Sequence, residues 1–367
     1  MADRVPALTG IRTLAALSVC LTHAAYWTGH YTDTYAGRLA ARFEVGVTIF
    51  FVLSGYLLYS AWVRQMRRPD ARPVSIATYF AHRARRILPA YWLTVVGVYA
   101  LYLFRDNPNP TTGTGWSGLL RNLTFTQVFG VGHQHTGLTQ MWSMVAEVSF
   151  YLVLPVIALV GVALCRRTWR PDLLLLLLGG VALISPIWIF VAVGGDADLT
   201  APIWPPTFLW WFVAGMVLAV VGPSLATVKP TLWVVAGALA FVAAGTAAAG
   251  GPTMAPQTPG QTIVKHLLYL TVALGFIVPL AATSGGWWSR LWGSRPAVWF
   301  GEISYEFFCV HVVVLEVAMG LLGFEVFRDN AMLVAFLVTT ALSIPLAWLL
   351  HRVTRPIWRR NHVAASR

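Results

Sequence analysis

Apolar runs of about twenty residues recur along nearly the whole of this 367-residue chain, each long enough to cross a hydrocarbon layer roughly 30 Å thick. They fall near residues 8–27, 44–63, 88–104, 142–165, 172–193, 203–221, 231–250, 264–282, 297–322 and 331–351. Only 11% of the residues are charged and 57% are hydrophobic, so there is too little polar side chain to clothe a water-soluble globule. The pattern predicts an all-α, polytopic membrane protein of about ten transmembrane helices, because a helix satisfies its own backbone hydrogen bonds in lipid. The first run is followed at once by others and lacks a clear small-residue cleavage site, so it reads as a retained helix. No polar stretch is long enough for a soluble domain, and residues 1–367 are read as one membrane domain.

The net charge of +12 does not point to nucleic acid, because the basic residues sit in short segments between the apolar runs. With the N-terminus in the cytoplasm, one side collects Arg4, the arginines from Arg64 to Arg86, Arg166, Arg167, Arg170, Lys229, Arg290, Arg295 and those from Arg352 onward. The other side holds only Arg38, Arg42, Arg105, Arg121, Lys265 and Arg328. That asymmetry predicts cytoplasmic N- and C-termini in a multi-pass cytoplasmic (inner) membrane protein. Cys20, Cys165 and Cys309 lie inside apolar runs without metal-type or paired spacing and read as small buried hydrophobes.

Ionisable residues within spans are costly unless they face a cavity or a partner, which makes each a functional candidate. Arg12 and His23 share one face of the first span, about 20° apart in register and roughly 16 Å apart along the axis. Such a stripe suits an elongated anion that enters at Arg12 and presents its reactive end near His23, or else it serves helix packing. In the fourth span Ser143, Glu147 and Tyr151 form a polar seam at i, i+4 and i+8. Glu147 needs a cationic or imidazole partner there, and the first span offers both. In the ninth span Ser304 and His311 share a face, while Glu302, Glu306 and Glu316 cluster elsewhere and read as partners of loop arginines. Arg83 and Arg86 stand one turn apart just before Pro89, where a helix is expected to begin; guanidinium groups beside a helix N-terminus suit phosphate. His133 and His135 make too weak a pair for a metal site, so no metal is assigned.

Several stretches, in order along the chain, resemble the membrane acyltransferase-3 family, the OafA-like O-acyltransferases. They are Arg4 through Gly10 and Arg12 to His23, Phe50-Phe51-Val52-Leu53-Ser54-Gly55-Tyr56, Arg83 through Arg86 to Pro89 and Tyr91, Trp142 through Glu147 to Tyr151, and Ile303-Ser304-Tyr305 to His311. Departures are Thr9 and Thr48, where the pattern commonly carries an acid, and Thr354 in the late acid-Arg-Pro segment. The resemblance implies acyl transfer, acetyl being the favoured group, from acyl-CoA to a hydroxyl of a sugar, cell-envelope glycolipid or exported metabolite. Acyl-CoA would be a donor substrate and no cofactor would be permanently bound. Within that reading His23 is the general base supported by Glu147. Arg12, Arg83 and Arg86 hold the donor, and Trp142, Ser143, Tyr151, Ser304 and His311 shape the substrate site. Ser54 and Gly55 are assigned to close helix packing. Acylation of a macrolide-type product, and a secondary transporter or lipid flippase, are the alternatives.

Overall fold

The computed structural model describes residues 5–68, 71, 73–105, 112–166, 168–225, 229–252, 258–282 and 286–359. Arg4, at the start of the first motif, and Arg167, in one of the basic segments, lie outside the described residues. The architecture is all-helical. In chain order the α-helices are α1 (Pro6–Trp27), α2 (Tyr35–Ala41), α3 (Val45–Arg67), α4 (Ile76–Leu101), α5 (Gly115–Leu123), α6 (Trp142–Cys165) and α7 (Pro171–Ala182). They continue with α8 (Ile184–Gly194), α9 (Leu209–Val221), α10 (Pro230–Ala244), α11 (Pro259–Ala281), α12 (Trp287–Trp292), α13 (Arg295–Leu322) and α14 (Met332–Arg359).

Every predicted apolar run falls on a helix. Among the described residues seven helical stretches are long and apolar enough to cross a membrane. Two more, Pro205–Val221 and Pro230–Ala244, are apolar but shorter, and α4 carries arginines in its first half.

Helix ends follow local chemistry. Proline opens α1, α7, α10, α11 and α13 at their first or second positions, where its missing N–H would have had no partner. Thr258 and Gln261 build a capping box on α11, and Gly323 closes α13 in the left-handed region at φ +67°.

Two expected boundaries move. Ser75 accepts from the Thr78 N–H at 3.3 Å and starts α4 at Ile76, well before Pro89. Arg83 and Arg86 therefore project from the interior of a helix, and the proposed helix N-terminus beside them is not there. The single run 172–193 divides into α7 and α8 at Leu183, because Pro186 has no N–H to return to the Ala182 carbonyl. The Ser185 hydroxyl stitches the break, donating to the Pro206 carbonyl at 2.7 Å and accepting from the Trp210 N–H at 2.9 Å.

Lipid tails are as apolar as leucine, so helices in a bilayer associate through close packing rather than hydrophobic transfer. The most extensive helix pairs here are α3 with α9, α1 with α13, α10 with α11, and α13 with α14. Glycines bring the first two into backbone contact. A Cβ on Gly55 would lie 2.0 Å from the Phe212 carbonyl oxygen, and one on Gly215 2.0 Å from the Val52 oxygen. Likewise a Cβ on Gly301 of α13 would meet the Thr9 oxygen of α1 at 2.1 Å, and one on Gly10 the Trp292 oxygen at the end of α12 at 1.8 Å. Gly55→Leu is accordingly expected to destabilise the protein by about 1–3 kcal/mol or more through overpacking, read as a lower melting temperature and less monodisperse protein on size-exclusion chromatography. An unchanged melting temperature would show that α3 and α9 do not depend on this approach. The three cysteines are free and buried, in keeping with their role as small hydrophobes.

Candidate active site

Helices α1, α3, α6 and α13 border a partly open cleft lined by Arg12, Val47, Phe50, Ser54, Ser143, Met144, Glu147, Ser304, Tyr305 and Phe308. Four residues singled out in the sequence (Arg12, Ser143, Glu147 and Ser304) thus reach one space from three helices. The Ser143 and Ser304 hydroxyls are turned onto their own helices, donating to the Gln140 and Gly301 carbonyls at 3.1 and 2.9 Å.

Glu147 is held from two sides. Ser54 Oγ donates to its Oε1 at 2.9 Å, and the Tyr151 hydroxyl donates to the same oxygen. Ser54, assigned from the sequence to helix packing, thus also holds this carboxylate from the opposite helix. Replacing Glu147 with Ala leaves two hydroxyls without their acceptor, and each orphaned group costs about 1–3 kcal/mol when buried. A Glu147→Ala protein is expected to melt at lower temperature, and a melting curve superimposable on the wild type would refute this structural role.

The cationic residues gather at the same depth. Arg86, Arg83, Glu147 and Tyr151 all lie within electrostatic reach of Arg12, and the Arg83 guanidinium faces the Tyr151 ring at 6.0 Å. Arg12 is half-buried and, among the described residues, makes no hydrogen bond or ion pair. The Arg83 Nε is buried without a partner among those residues. Trp142 does not line the cleft; its ring packs on Phe208 at 4.8 Å.

The expected His23–Glu147 pair is not formed. His23 Nδ1 lies 2.8 Å from the Val19 carbonyl oxygen and 3.2 Å from His311 Nε2. His311 Nδ1 lies 2.8 Å from the Phe308 carbonyl. Both carbonyls can only accept, so with neutral rings each Nδ1 carries the hydrogen. His311 Nε2 is then an acceptor for the forked His23 Nδ1–H, and His23 Nε2 keeps a lone pair that meets no hydrogen-bond donor among the described residues. The reason Glu147 is absent from this pair is depth. It stands level with Arg12, which lies eleven residues before His23 and so roughly 16 Å away along α1.

Phe308 links the two centres. Its ring lines the cleft, lies 5.6 Å from the His311 ring and meets Phe50 edge-on at 6.4 Å. Gln140 steadies this turn of α13 by donating to the Cys309 carbonyl at 2.9 Å.

Two acids of α13 find partners within the bundle, and Glu316 also stays within electrostatic reach of Arg105. Glu306 pairs with His351 at 3.0 Å, and Glu316 accepts from the Tyr102 hydroxyl. His135 is buried between the Tyr99 and Tyr102 rings, at 4.6 and 4.5 Å.

Comparison with known proteins follows the same span. Residues 5–352 match the model of an acyltransferase domain. The chain belongs to this acyltransferase family. It is similar to the peptidoglycan O-acetyltransferase OatA of Listeria monocytogenes, 27% identical over 199 residues that cover 51% of this chain and 29% of that protein. It is also similar to the acyltransferase MdmB of Streptomyces mycarofaciens, 27% identical over an alignment of 404 residues, 99% of this chain and 95% of that one. The chain thus spans less than a third of the length of the Listeria relative. No solved structure matches it. Within the family match, the motif residues divide into two groups that the sequence pattern alone ran together: the Arg12–Glu147–Arg83 centre, and the His23–His311 couple, about three turns beyond Arg12 on α1 and one turn beyond Phe308 on α13.

Proposed function

We propose that this acyltransferase-family protein moves an acyl group, acetyl in the first instance, from acyl-CoA to a hydroxyl on a sugar, cell-envelope glycolipid or exported metabolite. The observation that carries the reading is the hydrogen-bond pattern of the two histidines, which leaves His23 Nε2 as an unoccupied base inside a membrane bundle. Arg12, Arg83 and Arg86 would hold phosphates of the donor through charge-assisted hydrogen bonds. Ser143 and Ser304 would line the passage for its thioester arm, Trp142 would brace it only from outside through Phe208, and Glu147 would keep Ser54 and Tyr151 in place beside the arginines.

In the transfer step His23 Nε2 takes the proton of the acceptor hydroxyl as its oxygen attacks the thioester carbonyl. A C–O bond forms, the C–S bond breaks, and the proton passes from the imidazolium to the departing thiolate, giving an ester and free coenzyme A. His311 accepts from the opposite ring nitrogen and so fixes the tautomer, the part a carboxylate takes in a hydrolytic triad. The relatives' names as O-acetyltransferase and acyltransferase support a hydroxyl acceptor and an acyl donor. The basic asymmetry of the chain supports a donor site on the cytoplasmic face of the inner membrane.

Incubating purified protein with labelled acetyl-CoA tests the reading through coenzyme A release and label in product. Mass spectrometry of envelope lipids and medium from a deletion strain names the acceptor by the acyl increment it loses, whether glycolipid, sugar or macrolide-type metabolite. A protein that neither releases coenzyme A nor alters any acylated product would refute the proposal.

A further inference from the structure

A second polar centre lies beside His23, at the end of α1 away from Arg12. Thr22 Oγ1 donates to the carbonyls of Ala40 and Ala41 at 3.1 Å each, and it bonds the Tyr31 hydroxyl at 2.7 Å. Those contacts tie the turn of α1 that carries His23 to the 3-10 turn Arg42–Glu44. Arg42 anchors that turn on its other side. It is 2% exposed and donates to the carbonyls of Ala244, Ala249, Gly250 and Gly251 at 2.6–3.2 Å.

Glu44 is therefore held in place by its neighbours and is not needed to hold them. Its Oε1 accepts from the Tyr269 hydroxyl at 2.9 Å and from Lys265 Nζ at 3.3 Å. Its side chain is 40% exposed and that of Lys265 18%. Its Oε2 has no hydrogen-bond partner among the described residues. His23 and Tyr31 are both within electrostatic reach of this carboxylate. As a half-exposed ion pair it contributes about 0–1 kcal/mol to stability, so packing gives little reason for it.

The chemistry suits a neutral polyol. One carboxylate oxygen is fixed and the other is open to accept from a hydroxyl, a charge-assisted bond about twice as strong as a neutral one. The ammonium beside it can donate to a second oxygen, and the pair is neutral overall, which favours neither an anion nor a cation. We propose that Glu44 and Lys265 form the acceptor subsite, seating adjacent hydroxyls of an uncharged sugar ring next to His23. This rests on the acyl-transfer reading above.

The test uses full-length protein in nanodiscs, acetyl-CoA, and as acceptor probe the combined lipid and medium extract of the source strain lacking this gene. Glu44→Gln and Lys265→Met are expected to raise the amount of extract needed for half-maximal transfer about tenfold or more, with the KM for acetyl-CoA within about twofold of wild type. Tyr269→Phe, which frees Glu44 without removing it, is expected to give a smaller rise in the same direction. Half-saturation within about twofold of wild type in all three folded variants, a donor KM that rises in step, or loss of folded protein in all three overturns the subsite. Wild-type protein that transfers nothing to the extract defeats the acyl-transfer reading itself, and this inference with it.

Discussion

His23→Ala is expected to cut the turnover of acyl transfer by about two to four orders of magnitude, the usual contribution of a positioned general base, with little change in its KM for acetyl-CoA. Turnover and catalytic efficiency fall together because the lost interaction exists only as the hydroxyl proton moves. The donor's affinity should survive, because Arg12, the proposed phosphate contact, is eleven residues away on the same helix, roughly 16 Å along its axis. His23→Gln is the sharper control: its side-chain amide can still donate to the Val19 carbonyl and fill the space, yet it has no basic nitrogen. Both variants should be assayed in nanodiscs for coenzyme A release and acylated product, with melting curves alongside. A folded His23→Gln protein at wild-type turnover would remove the imidazole from the chemistry.

The sequence carried the fold better than it carried the site. Apolar runs report span positions directly, because the bilayer sets their length, and each of them is helical in the structure. What escaped was backbone detail where two signals compete. The segment Ile76–Arg86 is too rich in arginine to read as part of a span, although Ser75 offered a helix start. The break at Leu183 was announced by Pro186 but masked by the apolarity on both sides.

At the site, helical periodicity located the right faces and misjudged the partners. Arg12, Ser143, Glu147 and Ser304 were read from three helices and do line one cleft. Periodicity says nothing of relative depth between helices, so Glu147 was matched to His23 when it stands level with Arg12. The true ring partner, His311, is 288 residues away in the chain, and no local pattern identifies which helix packs on which. Glu44 lies at the edge of an apolar run, where a charge carries little intramembrane cost and so gives no signal in the sequence.

Arg12→Met is expected to lower the catalytic efficiency with acetyl-CoA by about 10- to 150-fold, the loss of a charged hydrogen bond worth about 1.5–3 kcal/mol. The side chain lines the cleft and has no ion-pair partner among the described residues, so removing it breaks no internal pair. Melting temperature should hold steady or rise, since an uncompensated guanidinium within a bilayer is costly. Arg12→Lys should recover only part of the loss, because an ammonium cannot make the forked contact that a guanidinium makes with phosphate. Truncating the donor isolates the interaction. Acetyl-pantetheine keeps the thioester but lacks the nucleotide and its phosphates, so wild type and Arg12→Met should become nearly alike on it. If the variant is equally impaired on both donors, Arg12 acts on the reacting end or on the helix bundle rather than on phosphate, and the direction in which the donor lies along α1 must be reversed.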